Sequence, residues 1–193
     1  MNAELTKYLR RYVTLSPEED SLFQSYLTPV KLKRKEFAFE QGMLCNSRYF
    51  ITKGCMRLFY IDPKGHEQII HFGIDNWWIT DYDSLLTNSQ TRFNLQAIEP
   101  TELLVLKESA LEEIYQRIPA LERLFRIIME RTYIAGQRRL EYMFSMSSEE
   151  LYEHFISANP AFIQRIPQYM LASYLGITPE YLSALRKNDK RIS

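Results

Sequence analysis

Cysteine is scarce in this chain: Cys45 and Cys55 are the only two among 193 residues. That excludes a disulfide scaffold and a four-cysteine iron–sulfur cluster, and both thiols are expected as small core residues. Histidine is scarcer relative to its uses. Three occur, with no His-x-His pair. His66, Glu67 and His71 do not make a cupin-like metal site, because strand alternation sends His66 and His71, five apart, to opposite faces. No metal and no enzymatic activity are expected. No apolar run approaches the ~20 residues that span a bilayer. The opening MNAELTKYLRRYV carries charge throughout, where a signal peptide would be apolar. A cytoplasmic protein without a membrane role is expected. Charge of one sign is missing as well, with 24 basic and 24 acidic side chains, so the molecule as a whole favours no polyanion. The balance is local: Ala161–Ser193 holds five basic residues against two acidic ones. Apolar content of 46% suffices for a real core.

The most informative stretch is Gln168–Arg186, QYMLASYLGITPEYLSALR. Apolar residues at Leu171, Leu175, Ile177, Leu182 and Leu185 suit two short packed helices. Ala172 is small where those helices approach, and Gly176 stands where a left-handed backbone is easiest. Thr178-Pro179 is a cap and first-turn pair, since Thr accepts an orphan amide and Pro has none to leave unpaired. Together these read as a helix-turn-helix, whose second helix enters the DNA major groove.

Upstream, residues 1–27 read as helical, with a Ser16/Glu19 capping box. From Val30 to about Leu106 the period becomes two: Val30–Lys33, Phe37–Phe39, Met56–Tyr60 and Phe93–Ala97 alternate, separated by turn signals such as Lys53-Gly54 and Asp62-Pro63-Lys64-Gly65. Many short strands imply a roll of jelly-roll type. Ser109 with Glu112 reads as another capping box, and Pro119 as the opening of a long helix to about Tyr142. On it Phe125, Ile128, Thr132, Ala135, Arg139 and Tyr142 recur at heptad spacing, which predicts a seam with a second copy, the alternative being that the seam packs only on the roll. Ser145–Ser147 reads as a hinge, and Ser147 with Glu150 as the cap of the next helix. The expected fold is therefore α+β: an N-terminal jelly-roll sensor domain (1–108), a dimerisation helix region (109–144) and a C-terminal helix-turn-helix domain (145–193).

This order resembles the Crp/Fnr superfamily of bacterial transcription regulators over essentially the whole chain. The resemblance is specific at Phe39-Glu40-Gln41-Gly42, at Tyr49–Gly54 and at Leu171–Leu185. The run His71–Ser84 is similar to the branch lacking a typical nucleotide cassette. The resemblance implies a homodimer reading a palindrome in double-stranded DNA, a roll sensing an effector of unknown identity, and RNA polymerase as a further partner. The family cassette pairs Gly-Glu-Leu with Arg-Ser. Its counterparts here are Thr80-Asp81-Tyr82 and Thr91-Arg92, and with Ser84 these are the candidate ligand contacts. Arg92 falls one position out, and a one-residue slip turns a strand side chain to the other face, so typical cyclic AMP binding is not expected. Asn188–Ser193 is too short for the family's β-wing, which is expected to be reduced or absent.

The candidate DNA contacts are Gln168, Thr178, Pro179, Glu180, Tyr181, Ser183, Arg186 and Lys187. Glu180 matches the family's acidic reader, which accepts from a cytosine amino group; it also suits a helix N-terminus on dipole grounds alone. Tyr181 and Ser183 suit bases or phosphates, and Arg186 and Lys187 suit phosphates. The family's two arginine readers are replaced by Pro179 and Ala184, so its target sequence is not carried over. Of Trp77 and Trp78, at least one is expected to be packing. The alternative function is a ligand-binding roll whose C-terminal helices dock a protein. That would call for an apolar recognition helix, and this one is polar with basic followers.

Overall fold

A computed structural model describes residues 2–188. Two short helices lead in, α1 (Ala3–Leu9) and α2 (Pro17–Ser25), the second capped reciprocally by Ser16 and Glu19. Eight strands follow: β1 (Leu27–Leu32), β2 (Phe37–Phe39), β3 (Ser47–Lys53), β4 (Cys55–Ile61), β5 (Glu67–Ile74), β6 (Trp77–Ile79), β7 (Asn94–Ala97) and β8 (Thr101–Lys107). Helix α3 (Tyr82–Thr87) interrupts them between β6 and β7. They form two antiparallel four-stranded sheets, ordered β1-β8-β3-β6 and β2-β7-β4-β5. The Asp62–Gly65 turn closes the β4–β5 hairpin, the Asp62 amide donating to the His66 carbonyl at 2.9 Å.

Alternation along the strands decides which core each residue joins. Within β3, Tyr49 and Ile51 point between the sheets beside Met56 and Leu58, while Phe50 points outward under α1. Within β4, Met56 and Leu58 point inward, and Cys55 and Phe59 point out toward the C-terminal helices. The two cysteines are buried free thiols, and burial pushes Cys55 up to about 12.

After β8 come a 3₁₀ turn at Glu108–Ala110, α4 (Leu111–Arg117) and the 26-residue α5 (Ala120–Ser145). The expected Ser109 capping box is not formed. Ser109 lies inside the 3₁₀ turn, and α4 begins after Ala110 with no side-chain cap. No described helix is long and apolar enough to cross a membrane.

The six expected seam residues of α5 divide between the chain's own packing and its surface, with Thr132 and Ala135 exposed. Phe125 and Ile128 are buried in this chain's own core, Arg139 bonds to β5 and α8, and Tyr142 packs on His154 at 4.4 Å between ring centres. Thr132 and Ala135, on the same side, are exposed and line an open crevice against the roll and the C-terminal helices. At 3.6 residues per turn a second, exposed apolar stripe of Tyr133, Leu140 and Phe144 lies roughly 130° further round the helix, and its Leu140 reaches the mouth of the same crevice. Heptad spacing was legible; the side that the roll would cover was not.

Met146 is extended (φ −105°, ψ 145°) and breaks the helix. Ser147 and Glu150 then form a capping box that starts α6 (Ser148–Ala158). The chain ends with α7 (Pro160–Ile163), α8 (Gln168–Leu175) and α9 (Pro179–Asn188). These helices share one apolar core with β4 and β5: Phe59, Ile69 and Phe72 meet Phe155, Leu171, Leu175 and Leu182. Each fully buried Leu or Phe contributes on the order of 1.5–3 kcal/mol.

Candidate nucleic-acid interface and roll cassette

Gly176 ends α8 in the left-handed conformation (φ 71°, ψ 28°), and the Ile177 amide returns to the Ala172 carbonyl at 3.0 Å. That six-to-one bond is the helix stop a glycine makes possible. The Thr178 hydroxyl then accepts the Tyr181 amide at 3.2 Å and opens α9. Ala172 and Leu182, both at 0% exposure, lock the two helices together. The side chains left over face solvent. Gln168, Thr178, Pro179, Glu180, Tyr181 and Lys187 are exposed, and Ser183 and Arg186 are half-buried. All eight candidate DNA contacts thus lie on the helix-turn-helix, seven of them on α9 or its cap. Lys190, Arg191 and the question of a wing lie outside the described residues.

Three contacts that no local pattern announced fix this unit on the roll. First, β5 is a sheet edge, and α8 covers it. The Ser173 hydroxyl donates to the Glu67 carbonyl at 2.7 Å and accepts the Ile69 amide at 3.2 Å, standing in for a neighbouring strand. Second, β5 bulges at Ile70, where the register against β4 skips a residue. Arg139 of α5 takes up carbonyls there, bonding those of Ile69 and Ile70 and that of Tyr174, with its guanidinium 3.9 Å from the Tyr174 ring centre. Third, Arg165, which the sequence offered only as local positive charge, grips Asp75 and Glu99 on the roll. Burial opposes ionisation of Asp75, yet the hydrogen bonds from Arg165 and the Gly54 amide hold it below the usual carboxylate range.

The candidate ligand residues gather around α3 but spend their polar groups on one another. The Thr80 hydroxyl donates to the Ser47 carbonyl at 2.8 Å. Asp81 caps α3 through the Asp83 amide at 3.1 Å and accepts the Thr91 hydroxyl at 2.5 Å. Ser84 accepts the Cys45 amide and donates to the Ser89 carbonyl. Thr91 is buried, whereas its neighbour Arg92 stands in solvent, 3.7 Å from Asp83. Half-buried Tyr82 lies under the Arg48 guanidinium, 5.6 Å from its ring centre. The structure therefore brings Thr80, Asp81, Ser84 and Thr91 together without a free cation among them, and leaves Arg92 apart. Of the tryptophans, Trp78 packs between Phe50 and Phe125, and Trp77 lies against Phe162 and His71.

Comparison with known proteins agrees with this architecture. Residues 29–118 match the family model described as the cyclic nucleotide-binding domain. Transcriptional activator protein Anr of Pseudomonas protegens is 25% identical over 164 residues, covering 79% of this chain and 66% of that protein. The chain thus spans just under two thirds of Anr. Regulatory protein HlyX of Actinobacillus pleuropneumoniae is 23% identical over 184 residues, covering 89% and 76%. Among solved structures, FixK2 from Bradyrhizobium japonicum superposes with a TM-score of 0.74 at 16% identity, over 84% of this chain and 83% of that one. The domain match on the roll, the two relatives that extend across most of the chain and the shared fold agree: the roll is a cyclic nucleotide-binding domain by its family match, and the chain is similar over most of its length to transcription regulators of Crp/Fnr type.

Proposed function

We propose that this protein is a homodimer that reads a two-fold symmetric DNA site with α9, in three working parts at 1–108, 109–144 and 145–193. The observation that carries the reading is the polar, solvent-facing surface of α9 on a helix-turn-helix whose packing is complete without it. A protein-docking helix would present an apolar face there. Selection of bound sites from a randomised duplex pool should recover half-sites about 34 Å apart, one DNA turn. Binding with no motif, or no binding at all, would reject it.

Within that reading, Glu180 discriminates bases and Lys187 contacts phosphate. Lys187→Ala is expected to weaken all sequences alike and to lower the salt slope by about 1. Glu180→Ala should shift base preference at one position, worth about 1–3 kcal/mol. Uniform loss in both variants, measured by binding titrations on a panel of single-base substitutions, would sink this division of roles.

The second copy would pair along the exposed side of α5. Tyr133, Gln137, Leu140 and Phe144 follow four-three-four spacing, and Phe144 is 88% exposed. Leu140→Asp/Phe144→Asp should sediment as a single 23.0 kDa chain where the parent runs at twice that mass. A double variant that still sediments at twice the chain mass would move the interface elsewhere.

A further inference from the structure

Between the roll, α5 and the C-terminal helices lies a cavity of about 660 Å³, a size that suits a drug-sized molecule. Its walls are aromatic, with Trp77, Trp78 and Phe72 from the roll facing Phe155, Phe162 and Tyr174. Of the candidate cassette residues only Thr80 and Tyr82 reach it; Asp81, Ser84, Thr91 and Arg92 do not. It is thus a different place from the α3 cassette.

Thr80, Thr132 and Asn159 on these walls bond to backbone carbonyls, which leaves Arg139 as the wall cation without a counter-charge. Arg139 is held by three carbonyls and a ring, with no carboxylate beside it among the described residues. Burial lowers its pKa, as expected for a cation whose charge is not neutralised. The other inward-turned arginines are all matched: Arg48 with Glu108, Arg57 with Glu67, and Arg165 with Asp75 and Glu99. The Trp78 indole N–H is sealed away behind the wall, with no acceptor among the described residues. His71, stacked on Trp77 at 5.9 Å, is held neutral near pH 7, its pKa pushed down to about 4 by burial and then by Arg139. Arg139 is half-buried, and an anion brought in from outside would supply the counter-charge that it lacks.

We propose that this cavity binds a flat, largely apolar acid, with its ring system between the aromatic walls and its anionic group on Arg139. Such a ligand touches β5 and β6 of the roll, α5, α6 and α8 at once. It therefore bridges the roll and the helix-turn-helix, and sets how firmly one is held on the other.

The test is calorimetric titration of the full chain with 2-naphthoate, its uncharged carboxamide and cyclic AMP. Tryptophan emission is followed in parallel, because both tryptophans of the chain line the cavity. Naphthoate should bind at least about tenfold tighter than the carboxamide and shift the emission. Ala135→Leu extends a side chain from α5 into the cavity and should lower naphthoate affinity at least about tenfold, with an unchanged unfolding midpoint. Arg139→Gln keeps a donor for the β5 carbonyls but should lose the preference for acid over amide. The proposal is overturned by no binding of naphthoate, by equal affinity for the carboxamide, by an unaffected Ala135→Leu, or by tighter binding of cyclic AMP. None of these readouts involves DNA, so a failure here is separable from a failure of DNA recognition.

Discussion

Gly54→Ala is expected to cost about 3–5 kcal/mol of folding stability, a large share of the roughly 5–15 kcal/mol typical of a domain. Two terms add. The backbone at Gly54 has φ +119°, a conformation that costs a side-chain-bearing residue on the order of 1–3 kcal/mol. An added Cβ would also sit 2.7 Å from the Thr101 Cα and 2.5 Å from its hydroxyl. Thr101 is 1% exposed and paired across to Leu32, so it has nowhere to retreat, and overpacking of this kind costs about 1–3 kcal/mol more. Gly65→Ala is the control. Its φ is +86°, but nothing lies within 4 Å of the added atom, so only the conformational term, about 1 kcal/mol, should appear. Urea unfolding of the two variants checks this, and equal midpoints would refute the steric argument. The position matters beyond stability. Gly54 is where the chain passes from one sheet to the other, and its amide donates to Asp75 at 2.8 Å, the carboxylate that Arg165 grips.

What could be read from the sequence divides along the range of the interactions involved. The helix-turn-helix was legible because its determinants are local: Gly176 adopts the left-handed stop, Thr178 caps α9, and Ala172 admits close approach. The β4–β5 hairpin was legible for the same reason, through Asp62–Gly65. The Ser109 cap failed although its pattern was correct, because a 3₁₀ turn took up that segment first. The α5 seam was legible as a spacing but not as a side. A helix covered on one side by the roll and exposed on the other carries two apolar stripes, and spacing alone cannot say which one is internal. Phe125 and Ile128 belong to the first stripe, Leu140 and Phe144 to the second. Least legible were the contacts that hold the DNA-binding unit on the roll. Ser173 meets β5 across more than a hundred residues, and Arg165 meets Asp75 across ninety. No periodicity carries such pairings.

Arg165→Met is expected to loosen the helix-turn-helix from the roll at neutral pH and to cost about 2 kcal/mol. Breaking a fully buried ion pair typically costs 3–5 kcal/mol. The figure is reduced here because the three side chains are a quarter to a third exposed, and solvent screens part of the interaction. What remains is mainly the penalty of leaving Asp75 and Glu99 beside one another without their cation. The pH dependence identifies the cause. In the parent Asp75 titrates below its ordinary value, so its contribution is fully present above about pH 4, the unfolded value. That contribution is lost as pH falls through the lower folded value. In the variant the cation is gone and protonation of Asp75 relieves repulsion instead. The stability gap between parent and variant should therefore be widest at pH 7 and narrow steadily toward pH 3. A gap of constant size would mean that Arg165 acts through the packing of its stem alone. Limited proteolysis supplies the structural readout, with faster cleavage expected between Ser145 and Ser147, the link that α6–α9 must swing about once Asp75 and Glu99 let go. Because α9 itself is untouched, weaker binding to a two-half-site duplex with unchanged binding to a single half-site would show that the latch sets the spacing of the two recognition helices rather than their chemistry.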